Sequence, residues 1–237
     1  MKVIICKNKK EGANKAALLV AEQIKKKNNL VLGLATGQTM IPFYKELIKT
    51  NKRIDFLKVK TFNLDEWCGV DHNNKNSLKS FMDKYFFSKL NISRENINFL
   101  NGKSKNIKKE CERYEKETNG IDLQILGIGI NGHIGFNEPG TPFNSLTNKI
   151  KITKEIRELY SKEFGGFNKV PKYGLTIGIK TIMRSKKIIL LAFGKSKADA
   201  VAKSLNNKSN KKIPASILQK HKDVTFILDK KAASKLE

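Results

Sequence analysis

Short apolar runs of strand length recur along this chain, and between them apolar residues return at helical spacing. That alternation leaves few folds open other than a parallel sheet flanked by helices. Residues 3–6, 30–35, 59–63, 123–126, 175–179, 188–193 and 224–228 read as strands, the run at 188–193 being almost continuously apolar, as a strand buried on both faces should be. Residues 13–26 carry Ala17, Leu18, Val20, Ala21 and Ile24 on one helical stripe and close on lysines, which suit the helix dipole. Residues 40–47, 77–90, 107–118 and 198–205 read as further helices. No repeat, low-complexity tract or linker interrupts the series, and 237 residues suit one large domain with one core. The expected architecture is α/β: an open, mostly parallel, Rossmann-like sheet with helices on both faces, residues 1–237 forming a single domain.

Composition narrows the function. No apolar run reaches the length of a bilayer span, and the first residues lack a signal-like segment, so a cytoplasmic location is expected. Cys6, Cys68 and Cys111 share no paired spacing, which argues against a disulfide framework or a zinc site. The formal charge of +25 raises the question of a nucleic-acid partner. Only Arg53, Arg94, Arg113, Arg157 and Arg184 are arginines, however, and the lysines are spread along the whole chain. A solvated lysine surface that favours anionic ligands is the better reading, with no specific nucleic-acid partner.

In open α/β sheets, ligands bind beyond the carboxyl ends of the strands. Four polar loops fall there. Thr36, Gly37, Gln38 and Thr39 open a helix, where free backbone N–H groups and hydroxyls can hold a phosphate or simply form an N-cap turn. Gly194, Lys195, Ser196 and Lys197 precede another helix and can supply an ammonium. Asp65 and Glu66 follow the third strand; neighbours in extended chain point to opposite sides, so one of them faces the crevice, and spacing does not say which. Trp67 reads as packing. The richest loop runs from Gly127 to Gly140, GIGINGHIGFNEPG, where a glycine-rich turn leaving a buried strand carries His133 and, shortly after it, Glu138. A carboxylate so placed can orient an imidazole and stabilise its charged form, which points to proton transfer.

These segments resemble the glucosamine-6-phosphate deaminase (isomerase) family. The resemblance rests on Gly33-Leu34-Ala35-Thr36-Gly37, Thr61-Phe62-Asn63-Leu64-Asp65-Glu66-Trp67, the 127–140 loop, Val170-Pro171-Lys172-Tyr173 and Gly194-Lys195-Ser196-Lys197-Ala198, and it runs in order over essentially the whole chain. Related phosphogluconolactonases share the glycine-histidine pair but lack the Phe-Asn-Glu-Pro ending at 136–139. The resemblance implies conversion of glucosamine 6-phosphate to fructose 6-phosphate and ammonium, with no metal or organic cofactor. Asp65 would be the base moving a proton between C2 and C1, His133 the ring-opening group and Glu138 its partner. Thr36, Gly37, Gln38, Thr39 and Lys197 would bind phosphate.

Three departures from the family pattern bear on these roles. Asn131 stands where some members have an aspartate and others asparagine; it can orient the ring but carries no charge. Lys162 occupies the place where many members have a phosphate-binding arginine. Ser145-Leu146-Thr147-Asn148 replaces the Ser-Arg-Thr-Arg pattern of allosteric, hexameric members, and their longer carboxyl-terminal segment has no counterpart here. A non-allosteric monomer or small oligomer is expected. Two other readings are a lactone hydrolase, which fits the 127–140 loop poorly, and a sugar-phosphate sensor, which would not need Asp65, His133 and Glu138 together.

Overall fold

The computed structural model describes residues 1–50 and 54–236. In chain order its strands are β1 (Lys2–Cys6), β2 (Val31–Leu34), β3 (Lys60–Asn63), β4 (Asp65–Trp67), β5 (Ile97–Asn98), β6 (Leu123–Gly127), β7 (Asn148–Lys151), β8 (Tyr173–Thr176), β9 (Lys187–Ala192) and β10 (Val224–Asp229). The helices are α1 (Lys9–Lys26), α2 (Met40–Lys49), α3 (Leu78–Tyr85), α4 (Ile107–Glu117), α5 (Lys154–Phe164), α6 (Ile179–Met183) and α7 (Ala198–Leu205). The main sheet has seven strands in the order β1-β10-β9-β6-β2-β3-β5, all parallel. From β2 the chain moves outward through β3 to β5, then returns to the other side of β2 with β6. Connections therefore diverge between β2 and β6, and that is where a crevice opens in such sheets.

Local chemistry explains the elements. The Asn8 side chain accepts from the amides of Lys10 and Glu11 and so starts α1. Ala13, Ala16, Ala17, Val20, Ala21 and Ile24 form its buried stripe, and their small size lets the helix lie close to its neighbours. Strand β9 is buried from Ile188 through Ala192, because β10 and β6 flank it and helices cover it. The expected helices on both faces are present. Phe62 on β3 meets Tyr114 of α4 edge to face on one side of the sheet. Gly127 of β6 lies under Met40 of α2 on the other, where a Cβ would come to 3.3 Å of the Met40 methyl.

Three expectations need correction. Residues 175–179 do not continue the main sheet. Strand β8 belongs to a separate three-stranded antiparallel sheet, β4-β8-β7, and Ile179 already opens α6. The chain turns at Gly178, packed so closely on the 145–146 backbone that a Cβ would stand 2.3 Å from the Leu146 carbonyl oxygen. Residues 77–90 are not one helix either: α3 ends at Tyr85, Phe86 is drawn inward to stack on Tyr44 at 4.6 Å, and a single tight turn (Phe87–Lys89) follows. Nor is there one core. Beside the main cluster, Trp67, Val70, Leu78, Phe136, Ile152, Ile156 and Val170 form a second, smaller one between the antiparallel sheet and α5.

Candidate active site

The loop after β6 is shaped around an imidazole. A Cβ at Gly129 would fall 2.2 Å from His133 Nδ1, so only glycine lets the ring lie over that backbone. The Gly129 amide donates to the His133 carbonyl at 2.9 Å, and Gly132 turns the chain with a φ of +87°. Asn131 Nδ2 donates to Glu138 Oε2 at 2.8 Å. The amide nitrogen being committed, Asn131 Oδ1 faces the ring and lies 2.8 Å from His133 Nδ1, while Glu138 Oε1 lies 2.9 Å from the same nitrogen. Asn131 Oδ1 can only accept, which places the proton on Nδ1 and leaves Nε2 as the basic nitrogen of the neutral ring.

Strand β4 decides between the two carboxylates. Asp65 pairs with Thr176 and Glu66 with Leu175 across the antiparallel ladder, so their side chains leave on opposite faces. Asp65 points toward the histidine loop: a Cβ at Gly135 would stand 3.0 Å from Thr176 Oγ1 and 3.5 Å from Asp65 Oδ2. The Asp65 carboxyl is buried, and among the described residues its Oδ1 has no hydrogen-bond partner. Burial, with the Glu66 charge adding to it, pushes Asp65 up from 3.8 to about 7. Glu66 points the other way and accepts from the amides of Trp67, Leu78 and Lys79 at 2.8, 2.9 and 3.1 Å, the last two opening α3. Trp67 packs, as expected, against Phe136, Tyr160 and Phe164.

The anion-binding candidates follow β2 and β9, which flank β6 on either side. Thr36, Gly37, Gln38 and Thr39 join β2 to α2, and Gly37 has a φ of +101°. Thr39 directly precedes α2 yet makes no side-chain capping bond, so its hydroxyl is not used by the helix. Gly194 follows β9 with a φ of +91° and donates its amide to the Asp229 carboxylate, fixing the turn that leads to Lys197. Lys197 is half-buried, desolvation holds its ammonium below the usual lysine range, and it forms no ion pair among the described residues. An unneutralised, partly desolvated ammonium beside a free helix N-terminus suits a phosphate. Lys162 stands apart: it is exposed in the last turn of α5, and no hydrogen bond or ion pair ties it to the cluster.

The other two histidines are structural. His72 Nε2 lies 2.9 Å from the Leu100 carbonyl, and buried His221 uses both ring nitrogens, one toward the Ser185 carbonyl and one accepting from the Asp223 amide. One contributor, Thr176, escaped the sequence reading. Thr176 receives the Phe136 amide on its hydroxyl at 3.2 Å, and Gly135 (φ +56°) brings the histidine loop against Asp65. Nothing in spacing links position 176 to position 65, since strand pairing alone makes them neighbours.

A parallel α/β sheet with a histidine-carboxylate cluster after β6 and a buried carboxyl of raised pKa packed on that loop has the layout of an enzyme class built for proton transfer beyond the carboxyl ends of its strands. The model of the glucosamine-6-phosphate isomerases/6-phosphogluconolactonase family matches residues 8–227, and the chain belongs to this family. It is 52% identical over 241 residues to a glucosamine-6-phosphate deaminase of Clostridium novyi, covering all of both chains. It is 49% identical to a protein of the same name from Clostridium botulinum (strain Langeland), covering 100% of this chain and 99% of that one. Among solved structures, a monomeric glucosamine-6-phosphate deaminase superposes with a TM-score of 0.96 at 41% identity over 99% of this chain and 100% of the other. A 6-phosphogluconolactonase from Thermotoga maritima shares the fold, with a TM-score of 0.74 at 22% identity over 96% and 97% of the two chains.

Proposed function

We propose that this chain is a single-domain, non-allosteric enzyme that isomerises and deaminates glucosamine 6-phosphate, giving fructose 6-phosphate and ammonium in amino-sugar catabolism. The observation that carries the reading is that the loop bearing the His133-Asn131-Glu138 cluster packs at Gly135, two residues after the histidine, against the buried Asp65 carboxyl. Full-length identity of 52% to a deaminase supports the same reaction.

Phosphate sits on the 36–39 turn with Lys197, and Lys162, exposed on α5, takes no part. His133 Nε2 takes the proton of the C1 hydroxyl and returns one to the ring oxygen, opening the sugar to its aldehyde. Asp65, ionised, removes the C2 proton, giving the enolamine, and delivers a proton to C1. Carbon 2 is then an iminium; water adds to it, and the carbinolamine collapses to the ketone with loss of ammonium. A base near pKa 7 is matched to such a transfer at neutral pH, where an ordinary aspartate is too weak a base. No step requires a metal or cofactor. Among the described residues no helix is long and apolar enough to cross a membrane, and the proposed location is cytoplasmic.

The test is coupled detection of ammonium and fructose 6-phosphate from glucosamine 6-phosphate, with glucosamine as control. Equal release of both products, dependent on the phosphate, is expected. Tight binding of the phosphosugar without turnover would reject the enzyme in favour of a sensor.

A further inference from the structure

We propose that Glu66 is a positioning residue for the reaction: a buried carboxylate kept ionised beside Asp65, whose fixed negative charge makes Asp65 a stronger base. The proposal rests on the reading of Asp65 as the proton-transferring group.

Adjacent buried carboxyls repel one another, so at intermediate pH one holds a proton and the other does not. Hydrogen bonding decides which. Glu66 accepts three backbone N–H bonds, two of them from the first turn of α3, where the helix dipole favours negative charge. Amides can only donate, so each of these bonds favours the ionised form. Asp65 Oδ1 receives none. Burial raises both carboxyls, but at Glu66 three amide bonds and the nearby His72 oppose it, whereas no hydrogen bond opposes it at Asp65. Glu66 is thus the member of the pair that ionises first.

The surroundings leave this charge unscreened. Buried Tyr44 from α2 and Tyr114 from α4, with half-buried Tyr160 from α5, surround Asp65 as phenols whose pKa values are pushed up mainly by burial and further by the Asp65 charge, so they stay neutral. The β6 loop contributes His133 and Glu138, already paired with each other. Strand β8 contributes the uncharged Thr176. The Lys79 ammonium is turned to Asp83. Among the described residues no lysine or arginine pairs with Asp65 or Glu66. Strand alternation puts Glu66 across the backbone from the crevice, where it acts on the base without meeting substrate.

The experiment joins ¹³C carboxyl titration of the ligand-free protein to pH profiles of kcat/KM, for the wild type and Glu66→Gln. In the wild type, Glu66 should titrate below Asp65. In Glu66→Gln the Asp65 midpoint should fall by about 1 pH unit, and the acid limb of kcat/KM should move with it. A weaker base also lowers the plateau rate several-fold. A merely structural Glu66 would lower the folded fraction and leave both midpoint and limb in place, which overturns the proposal alone. Movement of the midpoint without the limb overturns Asp65 as the base and the proposal with it. Should Glu66→Gln fail to fold, the wild-type titration order still decides, since Asp65 ionising first refutes the argument.

Discussion

Replacing Asp65 by asparagine should remove the chemistry and strengthen the fold, to a degree set by pH. The Asp65 carboxyl lies at about 7 when buried and at 3.8 in its ordinary state. Its folded pKa is the raised one, so the stability associated with its protonation is fully present below about pH 4 and is lost as pH rises through 7. A gap of about three pH units at 1.36 kcal/mol each makes the ionised carboxylate cost the folded state about 4 kcal/mol at pH 8 and above. An amide of the same shape resembles the protonated acid, so Asp65→Asn removes that cost and little else. Stability of the variant relative to wild type should be near zero at pH 4, rise by about 1.4 kcal/mol per pH unit, and level off above pH 7. For a chain of this size that corresponds to a melting point about 10 °C higher at pH 8. Urea unfolding of both proteins at intervals from pH 4 to pH 8.5, with equal m-values, measures it directly. A difference that does not change with pH would refute the placement of an unpaired carboxylate at this position.

Three further outcomes test the remaining machinery. His133→Gln should lower turnover of the ring form about 10²-fold or more, with partial recovery on substrate supplied in open-chain form; an undiminished rate on the ring form would remove its ring-opening role. Lys197→Met should reduce kcat/KM for the phosphosugar about 10- to 100-fold, as loss of one charge-assisted bond does, and leave any weak activity on the unphosphorylated sugar unchanged. Gly129→Ala puts a methyl where the imidazole now lies, so it should cost about 10²-fold in rate by displacing the ring, with the circular dichroism of the sheet retained.

The parts of this molecule that the sequence makes legible are those whose cause is local. Alternating apolar runs locate six of the seven main strands, and the dipole-matched lysines close α1 where expected. Glycines at 129, 132 and 135 announce a loop built for close approach, and His133 with Glu138 follows from their nearness in sequence. What needs the third dimension is the second sheet. Strand β4 is three residues long and β7 is half exposed, so neither carries an apolar signature. The choice of Asp65 over Glu66 depends on which face of β4 meets Gly135, and that is settled by pairing with β8, over a hundred residues away. For the same reason Thr176 was invisible, and β8 was read as part of the wrong sheet.

The two hydrophobic clusters imply two different ceilings on working temperature. Asp65 opens β4, which leans through Trp67 on Tyr160 and Phe164 of the smaller body, and the His133 loop that leaves β6 of the larger one reaches the same body through Phe136. A small cluster buries less apolar surface and opens at lower cost than a seven-stranded sheet. Heating should therefore release the Trp67 and Phe136 anchors, and with them the register of base and imidazole, while the main sheet is still intact, so that activity falls at a lower temperature than the circular dichroism of the sheet.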